Sequence, residues 1–123
     1  MLFGNSPYDA NQAVDPTFQQ NWVRQLVNRW GTSSVGGVRY YLLDNEPSLW
    51  HVTHRDVKPT GATMQEVRDR MIAYGAAVKA VDQGALLVGP EEWGWSGYFF
   101  GGALGDASSV HAHVQGHEAV PQL

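Results

Sequence analysis

Cysteine is absent from the 123 residues, which excludes a disulfide framework and any thiolate metal site. Its absence leaves the redox compartment open. Basic residues are scarce: 8 Lys and Arg stand against 12 Asp and Glu, for a net charge of -4. A nucleic-acid surface needs the opposite balance, so no nucleic-acid partner is expected. No apolar run approaches the roughly 18 residues that a spanning helix needs, so no membrane partner is expected either. The opening Met1-Leu2-Phe3-Gly4 is too short and too soon polar to read as a signal peptide. Internal repeats and low-complexity tracts are lacking too. What is present is a globular, rather aromatic chain: 43% hydrophobic, with 14 Gly, 5 Trp and 5 Tyr. Its length suits one domain with a modest core.

Residues 1–14 read as a polar loop, with Gly4, Asn5, Pro7 and Asn11 as turn formers. Asp15-Pro16 then reads as an N-cap followed by proline in the first helical turn. Phe18, Trp22, Leu26 and Trp30 recur at a spacing of four beside Val23 and Val27, which predicts an amphipathic helix over 16–30, closed by Gly31. Gly36-Gly37 leads into a strand over 38–44. Residues 45–62 are long for a βα connection, which usually takes about two to six residues. Their Trp50, His51, His54, Arg55, Asp56 and Lys58 favour a functional loop. Thr63-Met64-Gln65-Glu66 is a capping box, and Val67, Met71, Tyr74, Val78 and Val81 predict a second amphipathic helix over 64–82, ended by Gly84. Residues 85–89 follow as a short apolar strand, as expected where both faces are buried in a parallel sheet. The order strand, loop, helix, strand is a βαβ unit with a helix before it.

Both strands end on chemistry. The first stops at Asp44-Asn45-Glu46-Pro47. Pro47 lacks an N–H and drives Glu46 out of the right-handed helical region, toward an extended conformation. The second stops at Gly89-Pro90-Glu91-Glu92-Trp93-Gly94-Trp95-Ser96-Gly97-Tyr98. Adjacent parallel strands deliver such residues to one edge, and in an α/β barrel that edge is the active-site face. A plain polar turn explains Asp44-Asn45-Glu46-Pro47 equally well when it is taken alone. Glu46, Glu91 and Trp93 are expected on one rim.

The strings Tyr41-Leu42-Leu43-Asp44-Asn45-Glu46-Pro47-Ser48-Leu49-Trp50, Thr53-His54-Arg55-Asp56-Val57 and Gly89-Pro90-Glu91-Glu92-Trp93-Gly94-Trp95-Ser96-Gly97-Tyr98 resemble glycoside hydrolase family 44. So does Gly4-Asn5-Ser6-Pro7-Tyr8-Asp9-Ala10. The likeness runs over residues 4–100. The resemblance implies β-1,4-glucanase or xyloglucanase activity on an α/β fold, a (β/α)₈ TIM barrel. This chain would then be a fragment of one catalytic barrel domain, 1–123, holding about strands 4 and 5 with their flanking helices. Residues 102–123 depart from the family pattern and read as an atypical tail. The resemblance implies a retaining mechanism with two glutamates, Glu46 matching the general acid/base. The nucleophile belongs to a later strand and has no match here. It implies a β-glucan partner such as cellulose, carboxymethylcellulose or xyloglucan, the remainder of the barrel, secretion of the full-length protein, and no cofactor.

The residue chemistry agrees with that assignment. A general acid must hold a proton near neutral pH, which an apolar or anionic setting favours. Asn45 implies, by resemblance, a hydrogen bond to the sugar 2-hydroxyl; a turn bond to its own backbone is the plainer alternative. Trp93, Trp95, Tyr98 and Trp50 are candidates to stack on pyranose faces, or else to pack in the core. Glu91 and Glu92 read mainly as polar substrate contacts or loop salt bridges, and secondarily as a second catalytic carboxylate. Arg55 and Asp56 read as an ion pair or as loop anchors. His51 and His54, and likewise His111, His113 and His117, could ligate zinc, but no cysteine joins them and a surface role is favoured. No metal site is therefore assigned. The rival readings are a non-catalytic carbohydrate-binding module, which would be all-β, and a small α/β interaction domain, which would need its sheet edges covered.

Overall fold

The computed structural model describes residues 6–99 and 101–103. The readings of His111, His113 and His117, and of the tail beyond residue 103, lie outside the described residues.

Capping chemistry sets the helix boundaries. A short helix α1, Pro7–Ala10, forms where a loop was expected. Ser6 accepts a hydrogen bond from the Tyr8 amide at 3.2 Å, and Pro7 fits the first turn, so the same cap-and-proline pair that marks the next helix also works here. Helix α2 spans Pro16–Trp30, the range the periodicity gives. Asp15 accepts from the Phe18 amide at 3.1 Å, and Gly31, at φ 85°, returns its N–H to the Val27 carbonyl at 2.8 Å. Strand β1 is Tyr40–Leu42. The connection after it is structured: a 3₁₀ turn, Pro47–Leu49, runs into helix α3, Trp50–Thr53. Helix α4 is Met64–Lys79, with Thr63 Oγ1 accepting from the Glu66 amide at 3.1 Å. The Glu66 carboxylate holds Lys58 and Arg70, each at 2.9 Å. Strand β2 is Leu86–Val88.

β1 and β2 are parallel neighbours in the register Tyr40–Leu86, Tyr41–Leu87, Leu42–Val88. The predicted helices, strands, order and orientation are thus present, with shorter ends. β1 stops early because Asp44 takes a positive φ of 70°, and β2 because Gly89 sits at φ 136°. Helix α4 ends at Lys79, whose ammonium caps the Gln83 carbonyl at 3.0 Å.

Helices α2 and α4 pack together on one face of this sheet. Between them lies a core of Val23, Tyr41, Val78 and Ala85, flanked by Leu26, Val27, Val38, Val81 and Leu87. Val23 is 1% exposed, and burying such a side chain contributes about 2 kcal/mol. Gly75 allows the close approach of α4 to the sheet, since a Cβ there would lie 2.9 Å from Leu87 Cδ1. Burial pushes the Tyr41 phenol above its ordinary range, with the negative charge of Asp82 adding to the effect. A smaller core of Trp50, Ala62 and Val67, with Met71 beside it, sits under the loop after β1.

The other face of the sheet is bare. Tyr40, Leu42, Leu86 and Val88 are 54, 55, 42 and 38% exposed. The expectation that β2 is buried on both faces therefore fails, because among the described residues the helices cover one side only. At the N-terminal end of the strands, buried Asp82 accepts from the Ser33 amide at 2.6 Å, the Ser33 hydroxyl at 2.9 Å and the Gly84 amide at 3.2 Å. That carboxylate ties the turn entering β1 to the turn entering β2. Burial alone would raise its pKa, but these hydrogen bonds and one from Ala85 outweigh burial and hold it below the usual carboxylate range.

Candidate active site

At the C-terminal end of the sheet the two strands separate and then rejoin. The last regular rung is the Leu43 amide on the Val88 carbonyl at 2.8 Å. Gly89 then passes Leu43 so closely that a Cβ would lie 3.2 Å from its carbonyl oxygen. Beyond that point Asn45 and Glu91 form an isolated parallel bridge, in which the Glu46 amide donates to the Glu91 carbonyl. Glu46 and the segment carrying Glu91 and Trp93 therefore share one rim, as expected from parallel strands.

The backbone at this rim is not relaxed. Asp44 has φ 70°, and Glu46 has φ 51° and ψ 53°. The expectation of an extended Glu46 is corrected here. Pro47 does exclude the right-handed helical region, but the residue goes to the left-handed well instead. A non-glycine residue there costs about 1–2 kcal/mol. Surrounding bonds enforce it: the Glu46 amide is held by Glu91, its carbonyl accepts from the Leu49 amide at 2.8 Å, and Asp44 Oδ1 accepts from the Asn45 amide at 2.6 Å. Pro47, fully buried, anchors the turn. Glu46 and Glu91 are half-buried, while Asn45 is exposed.

The aromatic candidates separate by exposure. Trp93, Trp95 and Tyr98 are 66, 78 and 51% exposed. Trp95 lies 6.2 Å from the Tyr98 ring and 5.5 Å, edge-on, from Phe99. Trp95 and Tyr98 belong to a 3₁₀ turn, Trp95–Tyr98, with Trp93 just before it. Trp50 is different, and its nomination as a stacking residue does not suit its position. It is 8% exposed, packs with Ala62, Val67 and Met71, and carries the Arg70 guanidinium 5.8 Å from its ring centre. Its spacing to Val67 and Met71 across the loop could not be seen from local sequence.

Arg55 and Asp56 act as separate loop anchors. Arg55 reaches the Val52 carbonyl at 3.4 Å, and Asp56 accepts from Asn11 at 2.9 Å. Among the described residues, no three His, Cys, Asp or Glu side chains stand together as metal ligands. Two residues that sequence reading passed over or left open contribute to the rim. Ser48 donates to Glu92 Oε2 at 2.6 Å, tying the loop after β1 to the loop after β2. The signal for Ser48 was its place directly after the turn proline. The rim thus offers four carboxylates, an amide side chain and exposed aromatic faces, a set suited to proton transfer beside a stacked, hydroxyl-rich ligand.

Comparison with known proteins fits this set. The family model described as Glycoside hydrolase family 44 matches residues 1–120. CelM2, a bifunctional glucanase-xylanase from a metagenome library, is 54% identical; the likeness covers 98% of this chain and 22% of that one, with a TM-score of 0.78. A Paenibacillus polymyxa xyloglucanase of family 44, solved with xyloglucan, is 42% identical over 64% of this chain and 16% of its own, with a TM-score of 0.62. Endoglucanase A of Paenibacillus lautus is 34% identical over 97 residues, which are 76% of this chain and 14% of that protein. The chain therefore spans less than a quarter of the length of each of these relatives. Among the described residues, no helix is long and apolar enough to cross a membrane.

Proposed function

The chain belongs to glycoside hydrolase family 44, and from that premise we propose that it carries the acid/base segment of a retaining β-1,4-glucanase. In this reading β1 and β2 are strands 4 and 5 of a (β/α)₈ barrel. Their bare inner face, Tyr40, Leu42, Leu86 and Val88, is the surface that the other strands cover. Glu46 protonates the glycosidic oxygen as a nucleophile from outside this chain attacks the anomeric carbon. Its carboxylate then takes a proton from the water that hydrolyses the glycosyl-enzyme. Asn45 holds the sugar 2-hydroxyl. Trp93, Trp95 and Tyr98 offer ring faces to successive sugars, and Glu91 makes a polar contact. The substrate is a β-1,4-glucan such as cellulose, carboxymethylcellulose or xyloglucan, in keeping with relatives named as a xyloglucanase and a glucanase-xylanase. The full-length protein is secreted, where such polymers are found. No cofactor is needed.

The observation that carries the reading is the rejoined rim, where Glu46 is fixed in a left-handed turn by the Glu91 carbonyl. Backbone held out of its relaxed regions in this way clusters at active sites, which supports the reading. The parallel βαβ order weighs against a carbohydrate-binding module, which would be a β-sandwich.

The test uses a polypeptide carrying the complete barrel. Glu46→Gln abolishes most cleavage of glucan, whose leaving alcohol needs a proton. It spares the first step on an aryl cellobioside, whose leaving group departs unaided. Added azide then accelerates aryl cellobioside turnover, since the anion attacks without base help. Equal loss on both substrates with no azide response would remove Glu46 from the role. The 123-residue chain alone hydrolyses no glucan, and clean hydrolysis by it would put the second carboxylate within this chain.

A further inference from the structure

The Ser48–Glu92 hydrogen bond joins the only two loops of the rim that carry the proposed chemistry among the described residues. On one side, Ser48 lies two residues after Glu46 in the turn Pro47–Leu49. On the other, Glu92 lies between Glu91, whose carbonyl holds the Glu46 amide, and Trp93, the first exposed ring. The bond is 2.6 Å long and both side chains are half-buried. A charged acceptor at this distance makes one of the stronger kinds of protein hydrogen bond.

A second contact fixes the same carboxylate from below. Gly97, buried in the turn that carries Trp95 and Tyr98, lies so close to Glu92 that a Cβ there would overlap the carboxylate. The Glu92 side chain is therefore folded back between Ser48 and Gly97. It touches the base of the aromatic turn on one side and the acid/base turn on the other, and the space it occupies exists because residue 97 has no side chain.

We infer that Glu92 is a positioning residue, which with Ser48 sets the aromatic turn Trp95–Tyr98 at a fixed distance from Glu46, so that a bound β-1,4-glucan lies with its scissile oxygen at the acid. This inference rests on the proposed function of the rim and adds a cause for its alignment. Glu92 does not touch the reacting atoms. Its Oε2 accepts from the Ser48 hydroxyl.

The test is a double-mutant cycle in the complete barrel, read by binding as well as by rate. Ser48→Ala and Glu92→Ala each weaken cello-oligosaccharide binding, followed by tryptophan fluorescence, by about tenfold, the size expected when a hydrogen bond to a charged group is lost. KM for soluble glucan rises in step, while kcat and its pH profile on an aryl cellobioside hold. The double variant is no worse than either single one, because both remove the same tie. Glu92→Gln, whose amide carbonyl still accepts from Ser48, stays within about threefold of the parent. Gly97→Ala, which displaces the carboxylate without removing it, reproduces the Ser48→Ala defect. Thermal melts of all variants accompany these measurements. Additive losses, or unchanged binding in Ser48→Ala with its melt intact, would overturn the positioning role. Binding is read without chemistry, so the cycle succeeds or fails independently of Glu46: an intact cycle beside an unresponsive Glu46→Gln would remove the acid/base assignment alone.

Discussion

The outer and inner faces of one short sheet teach opposite lessons. Within Tyr40–Leu42, the middle side chain is 8% exposed and its neighbours are 54 and 55% exposed. Tyr41 joins Val23, Val78 and Ala85 in a closed core. Tyr40 and Leu42 alternate to the opposite, exposed face. The outer face is built as a folding unit is built, with caps, spaced apolar residues and a satisfied buried carboxylate. The inner face and the rim beyond it hold left-handed non-glycine residues at Asp44 and Glu46 and exposed tryptophans at 93 and 95. Strain and exposed aromatic surface of that kind oppose stability, and they cluster where a site is under other demands. Stability and the proposed chemistry therefore draw on different residues of the same strands, and substitutions should separate them.

The largest separation is expected at Glu46. Asn tolerates left-handed backbone better than Glu and cannot supply the proton. In the complete barrel, Glu46→Asn should lower kcat/KM on glucan by about 10³-fold, within the range for loss of a general acid. The melting temperature should hold or rise. Activity that survives, or a collapse of the melt, would show that Glu46 belongs with the outer layer.

The next test compares neighbours. Tyr41→Ala opens a cavity between α2 and α4 and should cost about 3 kcal/mol in a urea titration. Tyr40→Ala, one residue away, should cost under about 0.5 kcal/mol in the 123-residue chain, as exposed substitutions do. In the complete barrel the Tyr40 cost should grow, because the proposed strands then cover it. Equal costs in the short chain would erase the distinction between the faces.

Asp82 extends the comparison to pH. Its folded pKa is held below the ordinary value, so its stabilisation is fully present above roughly pH 4, where the unfolded carboxylate is ionised. That stabilisation is lost as pH falls through the lower folded value. Asp82→Asn should cost about 2 kcal/mol at pH 7 and flatten the acid limb of the stability curve. A variant with the parent's acid limb would mean that another group carries it.

Helix caps and apolar spacing are local, which is why 16–30 and the order of elements were legible in the sequence. The parallel pairing followed from the βαβ order. Other features depended on distant partners. Trp50 stays open between stacking and core packing until Val67 and Met71 fold over it. The left-handed turn at Glu46 depends on the Glu91 carbonyl, far along the chain. Asp82 was read only as the end of a helix. Its sign was a clue, since a carboxylate near a helix C-terminus opposes the macrodipole and must be held by something else. Ser33 holds it.

The smallest effect concerns the two tryptophans that sequence treated alike. Trp95 is 78% exposed and Trp50 is 8% exposed. Aromatic pairs gain about 1 kcal/mol beyond their area, and with a similar gain for a ring on a sugar face Trp95→Ala in the complete barrel should raise KM for glucan by about fivefold. Its melt should shift little, because the ring is largely exposed and its ring neighbours are Tyr98 and Phe99. Trp95→Phe keeps a ring face and should recover part of the KM. Trp50→Phe should do the reverse. It leaves a gap against Ala62, Val67 and Met71 and removes part of the ring beneath Arg70, lowering the melt while KM on the folded fraction stays near the parent value. Paired melts and Michaelis curves for the three variants decide it. A KM defect at Trp50 with an unchanged melt would move that ring from the core to the glucan. A stability defect at Trp95 with an unchanged KM would move its ring the other way.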